Sequence, residues 1–453
     1  MKKFLIDYRI IPFFLVIFAL IAFLDKALAI GLFLLFLLFL FLFFLLWKIG
    51  IREKQLYVAI IIVTLIHLAV VLFIYYTAFN PFGGGADYEK YHSIGIEIAQ
   101  RFTQGNFSLE GLRLNHYFPV VVGILYLFTM SEMLIGQLFS VWMAVITILF
   151  AYLLIREING SKRSAFWVSL LVGIYPSYLF FGSLLLKDML VVPFSVIGLW
   201  LVIKMMKEFS WKRFLIFFII VSALINLRLY IGFALLLTLL VCWLLISGVV
   251  WKKRIIQGVI MTALLGFTLQ FSGYGYYGIT AVKHFLNPKT IISYREVLYE
   301  SVKVDTEETT PVSPKEEDDL SGSGFSFKAK TSFENPVSFS IDYSKTFGDT
   351  LLGPMPWHIK YRRQLYSLIE IVPLYFFVII IIYGVVRSIR NWGFLKTIKR
   401  YRQGIPLLVF SLLALGAIAL FITNYGIIMR VRVPAFISIL CLMPLGFIKR
   451  KDN

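Results

Sequence analysis

Apolar stretches of roughly 17–25 residues, the length that crosses the hydrocarbon of a bilayer, recur from one end of this chain to the other. No soluble core could absorb that much apolar surface, and the mean hydropathy of +0.84 says the same. A transmembrane barrel would instead alternate apolar and polar residues in short segments. The sequence therefore predicts an all-α polytopic membrane protein. About twelve spans fit the pattern: 10–24, 27–46, 56–79, 133–155, 165–186, 189–206, 214–227, 230–250, 255–272, 366–386, 405–423 and 433–448. The first is followed by many others, as an anchor would be and a cleaved leader would not.

Lysine and arginine in short loops mark the retained side of a membrane. An N-terminus inside, beside Lys2, Lys3 and Arg9, puts the later basic loops on that same side. These loops hold Lys48, Arg52 and Lys54; Arg156, Lys162 and Arg163; Lys204, Lys207, Lys212 and Arg213; Lys252 to Arg254; and 387–402. The C-terminal Lys449 to Lys451 fall inside too. This accounts for the formal net charge of +19 without nucleic acid, because no single folded basic face is visible. The threading requires Tyr117 to Met130 to be a juxtamembrane or re-entrant helix on the outer side. Four regions follow: a two-helix extension (1–55), a membrane core (56–272) with a first outer loop (80–132), a long outer loop (273–365), and C-terminal helices (366–453). Within the long loop, 306–324 is acidic and poor in apolar residues, a composition that predicts disorder.

The unusual polar residues gather on the outer side. Asp87 follows three glycines in "NPFGGGADYEKYHSIG" and stands with Tyr88, Glu89 and Tyr91. Lys187 and Asp188 interrupt "YPSYLFFGSLLLKDMLVVP". Arg228 and Tyr230 lie in "NLRLYIGF", and Asn424, Arg430 and Arg432 in "NYGIIMRVRVP". Trp357 and His358 close "GPMPWH". A charge near the hydrocarbon costs roughly 2.5–3.5 kcal/mol on insertion scales, so it is kept for a partner or a task. Asp87 suits a general base, and the arginines suit a phosphate, which their planar fork grips with paired hydrogen bonds. Blander roles compete: a helix cap for Asp87, a neutralised turn for Lys187–Asp188, and snorkelling for the arginines. His92, His116 and His358 are too scattered to suggest zinc, and Cys242 and Cys441 lie in apolar runs.

Taken together, the first-loop Asp, the short apolar helix after it, "YPSYLFFGSLLLKDML" and the late "RVRVP" resemble GT-C membrane glycosyltransferases. The nearest likeness is to glycosyltransferase family 39, which includes protein O-mannosyltransferases and lipid A aminoarabinose transferases. It runs from about Tyr57 through Asp188 and is thinner over 214–448. The resemblance implies a helical bundle with outer juxtamembrane helices. Its activity would be transfer of a sugar, with inversion, from a polyprenyl-phosphate donor to a glycan, lipid or protein acceptor on the outer face. It implies Asp87 as catalytic base and Asp188 as the second acid. Lys187, Arg228, Arg430 and Arg432 would hold the donor phosphate. Tyr88, Tyr91, Glu89, His116, Tyr230, Trp357, His358 and Asn424 would line the cavity. The family's adjacent Asp-Glu pair is absent, since Glu89 stands one residue further on. No cofactor is expected, and no metal is indicated. The implied location is the plasma membrane, with both termini inside. Two rival functions remain: an O-antigen-type polymerase or ligase, and a transporter or flippase of a lipid-linked or anionic solute. A transporter would require broken helices and polar residues at mid-membrane.

Overall fold

A computed structural model describes residues 18–79, 86–112, 114–159, 161–265, 287, 289–291, 335–359, 365, 367–393, 396–397, 401–422 and 424–446. The glycines at 83–85, the acidic stretch 306–324 and most of the long outer loop lie outside them, as do both chain ends. Among the described residues all extended secondary structure is helical. After a short helical piece at 18–24, the helices are α1 (Lys26–Ile49), α2 (Lys54–Thr77), α3 (Ala86–Thr103), α4 (Phe118–Phe128), α5 (Met133–Asn159), α6 (Lys162–Gly173), α7 (Pro176–Phe181), α8 (Asp188–Lys207) and α9 (Trp211–Leu227). They continue with α10 (Leu229–Ile246), α11 (Trp251–Leu265), α12 (Pro336–Leu352), α13 (Leu368–Trp392), α14 (Ile405–Phe421), α15 (Tyr425–Val431), α16 (Val433–Leu440) and α17 (Met443–Gly446). Six of the described helices, α1, α2, α5, α8, α10 and α13, are long and apolar enough to cross a membrane.

Burial ranks these helices. The most apolar window of α8 is 78% buried and that of α5 is 72%, against 22% for α1 and α13. The first pair is therefore the middle of the bundle, and the second pair presents its leucines, isoleucines and phenylalanines outward. Helix α5 packs on α1, α2, α6 and α8, while α8 also packs on α9, α10 and α16. Local chemistry sets the ends. The Asp25 side chain accepts from Leu28 N at 2.9 Å to start α1, and Gly50 stops it at φ 84°. Tyr76 Oη donates to Asp25 at 2.6 Å, so the end of α2 meets the start of α1.

Two expected spans are not single helices. The stretch 165–186 breaks after α6: Pro176 disfavours helical backbone at Tyr175, and the chain restarts as the six-residue α7 before turning into α8. The stretch 433–448 is divided into α16 and α17, with α15 before them. A proline stands in the first turn of each piece, Pro434 in α16 and Pro444 in α17, where the missing N–H costs the helix nothing. The stretch 117–130, expected as a juxtamembrane or re-entrant helix, holds α4, of 11 residues. It lies on α3 at glycine contacts, since a Cβ on Gly123 would sit 2.5 Å from Ile98 and one on Gly95 would sit 2.6 Å from Val122.

Polar side chains separate to the two ends of this bundle. Helix α8 begins at Asp188 and ends at Lys207, and 20 residues span about 30 Å. Beyond its C-terminal end lies a basic rim. Glu53 receives Tyr152, Arg156 and Lys162, and Glu157 receives Lys204 and Lys207. The other end carries the residues singled out above.

Candidate functional site

Four places where helices begin or end build the site. The first turn of α3 presents Asp87, where a carboxylate also favours the positive end of the helix. The turn into α8 presents Lys187 and Asp188. The sharp α9–α10 connection, with Arg228 at φ −148° capping both helices, aims that guanidinium at Asp188. Helix α15, started by Asn424 accepting from Ile427 N at 3.1 Å, delivers Arg430.

Residues distant in sequence meet there in one chain of charges. Arg228 donates to Asp188 from Nε at 3.1 Å and from Nη2 at 2.9 and 3.0 Å. Its Nη1 reaches Tyr230 Oη at 3.0 Å. Arg430 Nε donates to the other face of Asp188 at 2.5 Å, and Arg430 Nη1 donates to Asp87 Oδ2 at 3.0 Å. Asp188 is 5% exposed, so two guanidinium groups compensate a carboxylate that burial alone would penalise. The Asp87 side chain is half exposed at 51%, and its Oδ1 makes no hydrogen bond among the described residues.

Two donors around this network are unspent. Arg430 Nη2 is buried without a partner among the described residues, and the Lys187 ammonium forms no ion pair or hydrogen bond among them. Burial, with Arg228 adding, pushes the Lys187 ammonium down to about 7, against the pull of Asp188. His116 lies beside Tyr91, with Nε2 at 3.1 Å from Tyr91 Oη. Burial pushes His116 down to about 3, and the Lys187 and Arg228 charges add to this, so its ring is neutral. Burial, with Asp87 adding, pushes the Tyr91 phenol up to about 12. Tyr88 is half-buried on the same helix and Glu89 is exposed.

Arg432 does not join this cluster. Positions two apart on a helix point to different faces, and here the difference carries Arg432 inward to full burial. Its Nη1 donates to the carbonyls of Thr350 at 3.1 Å and Gly353 at 2.5 Å, and its Nη2 to Glu370 Oε1 at 2.7 Å. Tyr175 Oη donates to the same carboxylate oxygen at 2.6 Å, and the Phe436 ring lies 4.7 Å from the guanidinium. This is a brace between α7, α12, α13 and α16, and it corrects the expectation that Arg432 grips a phosphate. His358 stacks on Tyr425 at 5.3 Å with Nδ1 2.9 Å from its Oη, and Tyr425 also bonds Asp349. Trp357 is 74% exposed beside them, and Asn424 is spent as a helix cap. None of these three has a described contact with Asp87 or Asp188. Sequence inspection overlooked Glu370 and Tyr175, although a glutamate inside "YSLIEIVPLYFF" carried its own signal: a charge in an apolar span needs a partner.

Among the described residues no three His, Cys, Asp or Glu side chains converge as a metal site would need. Fold and site together define a helical membrane protein with an arginine–carboxylate network at one end of its bundle. Neither a protein-family model nor a curated protein sequence matches the chain.

Proposed function

We propose that the protein is a GT-C-like membrane glycosyltransferase. It moves a sugar from a polyprenyl-phosphate donor to an acceptor at the outer face of the plasma membrane, with about twelve spans and both termini inside. The observation that carries this reading is the Asp87–Arg430–Asp188–Arg228 chain, which joins a half-exposed carboxylate to guanidinium groups with donors left over.

The chemistry follows from those parts. The acceptor hydroxyl binds at the free Oδ1 of Asp87 and gives it the proton as its oxygen attacks the anomeric carbon. The bond from that carbon to the phosphate oxygen breaks, and the polyprenyl phosphate leaves with the electron pair. Lys187, Arg430 Nη2 and Arg228 hold the charge that develops on it, at a site where little water competes. Attack opposite the leaving group inverts the anomeric centre. Asp188, engaged by both arginines, is a positioning residue in this scheme rather than a second base.

The test is transfer of labelled sugar from a polyprenyl-phosphate donor by the purified protein in lipid. Loss of a general base commonly lowers rate by about 10²–10⁴-fold, and Asp87→Asn should do so with donor binding kept. Full activity in Asp87→Asn would remove the catalytic role. Failure of the native protein to use any polyprenyl-phosphate sugar, while it moves such a lipid across the bilayer, would favour the flippase.

A further inference from the structure

The opposite end of the bundle holds a cavity of about 290 Å³, lined by Ile203, Met206, Lys207, Gly248, Arg402 and Gln403. It lies where the end of α8, the α10–α11 connection and the start of α14 come together. The carboxylate Glu157 faces Lys204 and Lys207, and Arg402 meets no carboxylate among the described residues. One acid among three cations leaves positive charge in surplus.

A helix C-terminus would ordinarily repel an anion, because its last carbonyls are unpaired. At the end of α10 those carbonyls are covered. Arg402 Nε donates to Ile246 O at 2.5 Å, while Arg254 donates to Leu244 O at 3.2 Å, Ser247 O at 2.5 Å and Val249 O at 3.0 Å. The bond through Nε fixes the Arg402 fork and leaves both Nη groups without a partner among the described residues. Lys207 Nζ spends donors on Glu157 O and Oε2, each at 2.8 Å, and an ammonium has three. The floor is open: a Cβ on Gly248 would meet nothing nearer than Arg402 Nη2 at 3.8 Å and the Met206 carbonyl oxygen at 3.9 Å. Ile203 and Met206 supply an apolar wall beside the charges.

We infer that this cavity binds a phosphate group, with Arg402 and Lys207 as its donors. An anionic lipid headgroup from the adjoining leaflet and a soluble phosphate are the two sources of that chemistry, and the test separates them. The site is independent of the transferase reading, because it stands at the other end of α8.

The experiment measures the thermal midpoint of the full chain, delipidated in neutral detergent, against added ligand. The probes are phosphatidylglycerol, phosphatidylcholine and inorganic phosphate. Phosphatidylglycerol or phosphate should raise the midpoint saturably, and phosphatidylcholine should not. Stabilisation by phosphatidylglycerol alone assigns a headgroup, and stabilisation by phosphate as well, in competition with it, assigns a soluble ligand. Arg402→Gln should weaken the apparent affinity about tenfold or more, as loss of a charge-assisted bond does. Gly248→Leu keeps every charge and fills the cavity, so it should abolish the shift while leaving the unliganded midpoint near its native value. Lys212→Gln removes an exposed cation outside the cavity and should change nothing. An equal response to phosphatidylcholine, or undiminished binding in Gly248→Leu, or an equal loss in Lys212→Gln, would each overturn the site in favour of diffuse surface charge.

Discussion

Arg430 and Arg432 are two residues apart and do opposite work. Arg430 has a buried donor unpartnered among the described residues beside a half-exposed carboxylate, whereas Arg432, whose Nε is likewise unpartnered there, has its charge matched by Glu370 in a site closed to solvent. Removing one member of a buried pair typically costs about 3–5 kcal/mol, because the other charge stays behind. Arg432→Met should therefore lower the thermal midpoint steeply, and Arg432→Met with Glu370→Leu should recover much of the loss. Arg430→Gln, which leaves the buried Asp188 to Arg228 alone, should lower the midpoint less than Arg432→Met and should weaken donor binding. A stable Arg432→Met that fails only in donor binding would reverse the assignment. The sequence displayed all three late charges, but side-chain direction separates them. The angle between positions two apart on a helix puts them on different faces, which the joint phosphate assignment of Arg430 and Arg432 ignored, and nothing in the chain said which face was buried.

Lys187 adds a pH dependence at the same scale. Its ammonium is pushed down to about 7 by burial and by Arg228, with Arg430 adding and Asp188 and Asp87 opposing. The lysine is cationic below that value and neutral above it. A phosphodiester donor has no proton to gain near neutrality, so its binding should weaken as pH rises through about 7. In Lys187→Arg the guanidinium stays charged, and the profile should be flat across neutral pH. Binding measured by calorimetry across that range checks both, and a native profile without any inflection would dismiss Lys187 from the phosphate clamp.

At the scale of elements, α3 and α4 act as one hairpin whose spacing sets the place of Asp87. Glycines at the crossing allow the helices to touch, with Gly123 against Ile98 and Gly95 against Val122. Forcing extra volume into a packed contact costs about 1–3 kcal/mol and moves backbone. Gly123→Val should thus reduce transfer without touching a charged residue, while Gly348→Ala, where a Cβ would meet nothing within 4 Å, should be silent. Native activity in Gly123→Val would mean that the hairpin does not position the base. Helix α4 itself was legible from its continuous apolar run, while its reading as a non-crossing segment rests on the later basic loops. The break between α6 and α7 was not legible, because an apolar count sees 165–186 as continuous while Pro176 acts only on backbone.

For the whole molecule, the physical question is which end faces outward. The bundle separates its charges cleanly: Asp87, Asp188, Arg228 and Arg430 meet at one end, and Arg156, Lys162, Lys204 and Lys207 at the other. Basic loops resist translocation, so the second end should be the cytoplasmic one. That recurrence of lysine and arginine was readable from sequence because it depends on loop composition and not on how helices pack. Substituted cysteines test it directly. Glu89 and Lys253 are both exposed, on opposite sides of the expected threading, while the native Cys242 and Cys441 are buried and should give little background. A membrane-impermeant thiol reagent applied to intact cells should label Glu89→Cys, and should label Lys253→Cys only after the membrane is opened. Labelling of Lys253→Cys alone in intact cells would turn the molecule over, placing the Asp87 network inside, where it would meet donors and acceptors on the cytoplasmic face.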